Sequence, residues 1–183
     1  LLNMLNDDND ITLYITVPAL DAISASSGAT VDSSFLAGLG ANIDASSGAQ
    51  IEVTQAEVTK LTVDTNSGAN ARLSGTFDSI DMDFSSGSHI RAEGLSCTHV
   101  RVDGSSGASA DITANGDITG SMSSGASVHL LVNPDKIDVE SSSGVSISIL
   151  CPFRPDRIAP GPAPAALFVA IIAHLSPLSA SQR

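Results

Sequence analysis

Ser26-Ser27-Gly28-Ala29 is the first of seven near-copies of one phrase. It returns as Ser46-Ser47-Gly48-Ala49, Asn66-Ser67-Gly68-Ala69, Ser85-Ser86-Gly87-Ser88, Ser105-Ser106-Gly107-Ala108, Ser123-Ser124-Gly125-Ala126 and Ser142-Ser143-Gly144-Val145. The glycines stand 20, 20, 19, 20, 18 and 19 residues apart. Self-similarity at a near-fixed period of this size marks a solenoid.

Counting outward from each glycine gives the secondary structure. Five and three residues before it stand Ile43 and Ala45, Val63 and Thr65, Met82 and Phe84; three and five after it stand Ile51 and Val53, Ala71 and Leu73, Ile90 and Ala92. Leu61, Ile80, Val100, Ile118 and Ile137 occupy the seventh position before it. These apolar sites are all odd offsets, and in extended chain odd offsets share one face. Helical spacing is not sustained, so the repeats are read as strands. By the same parity, the second serine of each phrase (Ser27, Ser47, Ser67, Ser86, Ser106, Ser124, Ser143) and the residue after the glycine are expected to point inward. The serines would form a structural hydroxyl ladder at a corner where glycine permits a tight bend. A nucleophilic role is not expected, because no histidine recurs in step to act as base.

The pattern predicts an all-β chain: a parallel β-helix of about seven coils of 18–20 residues, roughly 30 Å long at a rung spacing of about 4.8 Å. Residues 1–18 are read as an opening strand (Ile11, Leu13, Ile15 and Val17 alternating with Thr12, Tyr14 and Thr16, closed by Pro18) and a partial first coil. Residues 19–150 form the repeats. Residues 151–183, rich in proline and then apolar from Ala165 to Leu175, are read as a capping helix or a disordered tail; the apolar run is short for the ~20 residues of a membrane span.

Composition narrows the function. Hydrophobic residues make up 42% but aromatics only 3%, with no Trp, so the core is built from Ile, Val, Leu and Ala. The net charge of −12, from 20 acidic and 8 basic residues, argues against nucleic acid, whose binding needs Lys and Arg on phosphates. Cys97 and Cys151 are too few for a disulfide framework. Leu1 to Asp10 has no basic start or long apolar core of a signal peptide.

The recurring Ser-Ser-Gly-Ala, following Tyr14-Ile15-Thr16-Val17-Pro18-Ala19-Leu20, resembles the head GIN domain of auto-transporter adhesins over roughly residues 11–150. The resemblance implies a right-handed parallel β-helix outside the cytoplasm, in the cell envelope or secreted, with no established enzymatic activity and no defined site residues to carry over. The missing upstream strands and export signal imply a member shortened at its N-terminus.

Two outward patterns suggest chemistry. Four residues before successive glycines stand Asp44, Asp64, Asp83 and Asp103. In register these carboxylates form a ladder about 5 Å apart that repels itself and offers oxygen ligands for Ca²⁺. Asp81 and Asp83 share an outward face, the minimum a glycoside-cleaving enzyme needs, although the short turns leave little material for a cleft. His89, His99, His129 and His174 show no metal-ligand spacing and read as surface residues. The expected function is a non-enzymatic structural or adhesive surface module whose partner is a glycan, a protein or an identical solenoid, with self-association through the uncovered ends. The alternatives are a carbohydrate-active enzyme and a cation-binding solenoid.

Overall fold

A computed structural model describes residues 13–150. The strands are β1 (Ala22–Ala25), β2 (Thr30–Ser33), β3 (Leu36–Ala45), β4 (Gln50–Thr65), β5 (Asn70–Phe84), β6 (His89–Gly104), β7 (Ser109–Ile112), β8 (Asp117–Met122), β9 (Ser127–Leu130), β10 (Lys136–Ser141) and β11 (Ser146–Ile149). All pair in parallel with the equivalent segment of the next coil, Ile43 beside Val63, Val63 beside Met82 and Met82 beside Val102. Among the described residues there is no helix, and the chain makes a β-solenoid of about six turns rather than seven. The difference is one of counting, since seven corners enclose six complete coils.

The central coils have three flat stretches separated by two-residue corners. In the coil after Gly48 the buried positions are Ala49, Ile51 and Val53, then Ala56 and Val58, then Leu61, Val63 and Thr65. Thr54-Gln55 and Thr59-Lys60 make two corners, and the Ser-Ser-Gly phrase makes the third. The odd offsets thus point inward as expected, with one exception. The second serines of the phrase are exposed.

Backbone geometry explains the exception. Ser27, Ser47, Ser67, Ser86, Ser106 and Ser124 have φ of 51–55°, and the following glycines 71–78°. Two successive left-handed residues make a turn closed by a bond from the fourth residue's N–H to the first residue's carbonyl, 3.0–3.1 Å in the first six corners. This swings the second serine outward and returns the next residue to the core, so Ala49, Ala69, Ala108 and Ala126 are fully buried. A Cβ on Gly48 would meet nothing within 4 Å. Glycine is needed there for its dihedral rather than for space.

Coil length varies in one place. Residues 50–53 pair with 70–73 at an offset of 20, whereas Ala56 pairs with Gly75 at 19. Arg72 pairs with Arg91 at 19, whereas Ser74 pairs with Gly94 at 20. The shortest coil loses its two residues between Ile112, which pairs with Ala92, and Asp117, which pairs with His99. Gly75 lies at this slack corner with φ 148°, and a Cβ there would collide with the Ala56 backbone.

The core is aliphatic, and its larger members fit by size. Phe84 stacks under Gly104, where any side chain would strike its ring. Coverage fades at the last coil: Ile137 and Ile147 are 39% and 37% exposed, against 1% and 2% for Ile118 and Val128 one rung earlier. The expected opening strand is not formed. Residues 13–20 carry no strand, and Leu13, Tyr14 and Ile15 are exposed, because among the described residues no rung lies beside them to accept their ladder bonds. Ile11 and residues 151–183, with the expected cap or tail and Cys151, lie outside the described residues.

Two departures from the repeat compensate each other. Thr65 stands where other coils place Ala, Phe, Gly, Met or, in the last, Ser, and Ser88 where they place Ala or, in the last, Val; both are buried. The Thr65 hydroxyl donates to Ser88 Oγ at 3.1 Å, and Ser88 Oγ donates to the Thr65 carbonyl at 2.8 Å. Among the described residues no buried side-chain polar atom lacks a partner. Thr65→Val and Ser88→Ala are each expected to cost about 1 kcal/mol. The double variant should cost less than their sum by about 0.5 kcal/mol or more. Urea melts of the four proteins measure this, and strict additivity would show that the pair is not coupled.

Candidate functional site

The faces flanking the Ser-Ser-Gly corner carry most of the charged chemistry. On the side before the corner, the aspartate ladder is built as expected: Asp44 pairs with Asp64, Asp64 with Asp83 and Asp83 with Asp103. The rungs are not equivalent. Partial burial, then the charges of Asp64 and Asp103, push the Asp83 carboxyl above its ordinary value, with Arg101 offsetting some of this. Asp103 shares the burial that raises it. However, hydrogen bonds from Arg101 and Ser121 outweigh that burial and hold it below the usual range. Its Oδ2 accepts from Arg101 Nε at 2.8 Å, and its Oδ1 accepts from the Ser121 N–H at 3.0 Å and hydroxyl at 2.7 Å.

Asp103 is therefore already engaged. Among the described residues no three His, Cys, Asp or Glu side chains converge as a bound metal requires. Asp81 is paired with Lys60 Nζ at 2.8 Å, and neither surface recess described below includes Asp81 or Asp83.

On the side after the corner, two outward columns run along the rod. The column two residues past each glycine reads Thr30, Gln50, Asn70, His89, Ser109, Ser127; four past, it reads Asp32, Glu52, Arg72, Arg91, Asp111, His129. Here His89 and His129, read from sequence as separate surface residues, come together around Asp111. Asp111 Oδ2 lies 3.1 Å from His89 Nε2, and Oδ1 lies 2.9 Å from His129 Nδ1. Ser109 Oγ bonds His89 Nδ1. The network is satisfied when neutral His89 carries its proton on Nε2 and neutral His129 on Nδ1, with the serine donating to His89.

Ser109, His89 and Asp111 have the composition of a hydrolase triad but not its surroundings. Acyl transfer needs N–H groups aimed at a developing oxyanion. The nearby amides are spent on the ladder, Ser109 N on the Ser88 carbonyl at 3.0 Å and Ser127 N on the Ala108 carbonyl at 2.9 Å. The chain of bonds fixes the two imidazoles and holds the Asp111 carboxylate between them.

Between that cluster and Glu52 lie Arg72 and Arg91, exposed on adjacent rungs. Five Lys and Arg fall among the described residues; Lys60, Arg101 and Lys136 are held in ion pairs, and these two are not. Two shallow recesses, of about 280 and 250 Å³, flank the pair. His99 lies elsewhere on the surface and bonds Thr98. Cys97 is buried, and that burial, only partly countered by backbone hydrogen bonds, pushes its thiol up and leaves it unreactive.

The unequal aspartates give opposite pH signatures. Raised in the fold, Asp83 costs stability as pH climbs past about 3.9, the unfolded value, through its higher folded value, and the cost persists at neutrality. Asp103, lowered in the fold, contributes stability that is full above about 3.9 and is lost as pH falls through its lower folded value. Asp83→Asn should therefore raise Tm at pH 7 by about 1–2 °C, and Asp103→Asn should lower it by a similar amount, both small because solvent screens these groups. At pH 2 both differences should shrink. Thermal melts at the two pH values check the signs, and equal shifts for the two variants would contradict the ladder geometry.

Known proteins agree with this architecture. A crystal structure of a "putative adhesin" from Bacteroides fragilis superposes with a TM-score of 0.62 at 20% identity, covering 72% of this chain and 61% of that one. This chain thus spans about three fifths of the length of that protein, and the likeness is one of fold. No curated protein sequence matches. Residues 3–134 match the family described as "Putative auto-transporter adhesin, head GIN domain", and the chain belongs to that family.

Proposed function

We propose that the chain is a non-enzymatic adhesive module displayed outside the cytoplasm, and that it meets its partner with the face that follows the Ser-Ser-Gly corner. The observation that carries the reading is the pair Arg72 and Arg91, unpaired among the described residues of a chain with net charge −12 and set between two recesses. Exposed guanidiniums without a partner are the group most often recruited to polar interfaces. Membership of an adhesin family supports the same direction. The carbohydrate-active alternative needs two free carboxylates across a cleft. Asp81 is held by Lys60, and neither of the two recesses described above includes Asp83.

The test is attachment. Beads coated with the chain are expected to hold to cells, matrix or like-coated surfaces under flow. Arg72→Ala with Arg91→Ala should cut the attached fraction by about tenfold, as a loss near 1.4 kcal/mol does, without altering the circular dichroism spectrum. Retained attachment would move the working surface to another face, and attachment to no surface at all would sink the adhesive reading.

A further inference from the structure

From the charge order of the post-corner face we infer that the partner it fits is a second copy of this chain, docked side by side and antiparallel; in naming that partner the inference rests on the adhesive reading above. The outer column runs Asp32, Glu52, Arg72, Arg91 on four successive rungs, two acids and then two bases. A two-fold axis lying along the strands, midway between the Glu52 and Arg72 rungs, turns one solenoid upside down against the other. It sets Glu52 against Arg72 of the second copy and Asp32 against Arg91, each pair occurring twice. Rungs on the two copies share one spacing of about 4.8 Å, so all four pairs meet together.

The inner column obeys the same symmetry. The operation faces Gln50 with Asn70, two amides able to exchange hydrogen bonds, and Thr30 with His89. The larger recess is lined by these two columns over these four rungs, with Ile51 and Ala71 between them. Asp111, the next charge along, is already bound by His89 and His129 and does not disturb the match.

Alternative dockings fail on charge. Moving the axis onto the Glu52 rung sets Glu52 against itself, and moving it onto the Arg72 rung sets Arg72 against itself. A parallel two-fold opposes every rung with its own copy, acid rungs with acid rungs and arginine rungs with arginine rungs. Isologous contacts demand a self-complementary patch, and of the registers centred on these four rungs one alone opposes every acid with a base. The four charges of the patch also sum to zero, so it is a neutral island on a rod whose net charge keeps copies apart elsewhere.

The patch spans about 14 Å of rod at the rung spacing and is small beside the ~800 Å² per partner of stable complexes. Association is accordingly weak in solution, with Kd of about 10–1000 µM, and strengthens when many copies face each other. Sedimentation equilibrium of the full chain up to about 1 mM is expected to show a monomer–dimer equilibrium that weakens tenfold or more between 50 and 500 mM salt, as screening of exposed pairs requires.

Arg72→Glu and Glu52→Arg should each abolish dimerisation, because each places like charges across the axis. An equimolar mixture of the two variants should restore it as a heterodimer, and that recovery also reports that both are folded. A monomeric wild type, dimers surviving in either single variant, or a mixture that stays monomeric while the wild type dimerises would each overturn the proposal. If coated beads hold to cells while the wild type sediments as a monomer, the adhesive reading stands with a different partner. Dimers without attachment to any surface would leave this contact intact and remove that reading.

Discussion

The structure depends on one backbone hydrogen bond repeated from one Ser-Ser-Gly corner to the next. The amide of each phrase glycine donates to the carbonyl of the second serine one coil on, from Gly28 to Ser47 through Gly125 to Ser143, at 3.0–3.2 Å. A parallel solenoid survives only if its polar backbone groups point along the rod, even where the chain turns. Two consecutive left-handed residues achieve this. Serine in that conformation costs about 1 kcal/mol, and the bond it permits, worth about 1 kcal/mol net, gives the glycine amide and the serine carbonyl a partner along the rod. Because the bond joins the same two positions of every successive pair of phrases, it also forbids slippage between coils. Identical offsets must stack, and every surface property of the protein becomes a column.

That constraint explains what could be read without coordinates. Period and parity located the core from Ile43 to Leu130 because a locked register makes each offset uniformly inward or outward. Parity failed at Ser27 and its counterparts for a local reason: two left-handed residues reverse the chain faster than a pleated strand does, so alternation is suspended for one residue and then resumes at Ala49 or Ala69. The strand expected before Pro18 failed for the opposite reason. Its alternation is good, but a strand is a property of two chains, and residues 13–17 have no neighbouring rung among those described. The aspartate ladder was legible because one residue type recurs at one offset. The His89–Asp111–His129 cluster was not, since its members come from three coils and two offsets. The signal existed, and writing the columns two and four past the glycine side by side would have shown Asp111 flanked by both histidines and the two arginines stacked against two acids.

The two faces beside the corner use stacking to opposite ends. Before the corner, like charges accumulate, and the structure relieves them locally through Arg101, Ser121 and Lys60. After it, charges alternate in blocks of two, so that relief is left to whatever docks there. Acidity elsewhere then has a role in specificity, because it raises the cost of every contact that does not pass through the neutral block.

Coil length shows which faces the scaffold protects. The repeats vary from 18 to 20 residues, yet the charged columns never lose register, because the added or missing residues fall between the end of the post-corner strand and the next side, at Val53/Ala56, Arg72/Ser74 and Ile112/Asp117. The Ser-Ser-Gly bond cannot absorb a length change without breaking its own ladder, whereas the distant corner can, with Gly75 relaxing the backbone where a side chain would not fit. A partner reading spacing along the rod would find constant geometry only on the two faces beside the phrase. Substitution there changes charge order without moving a rung, so the phrase that specifies the fold also keeps the ruler on which recognition is written.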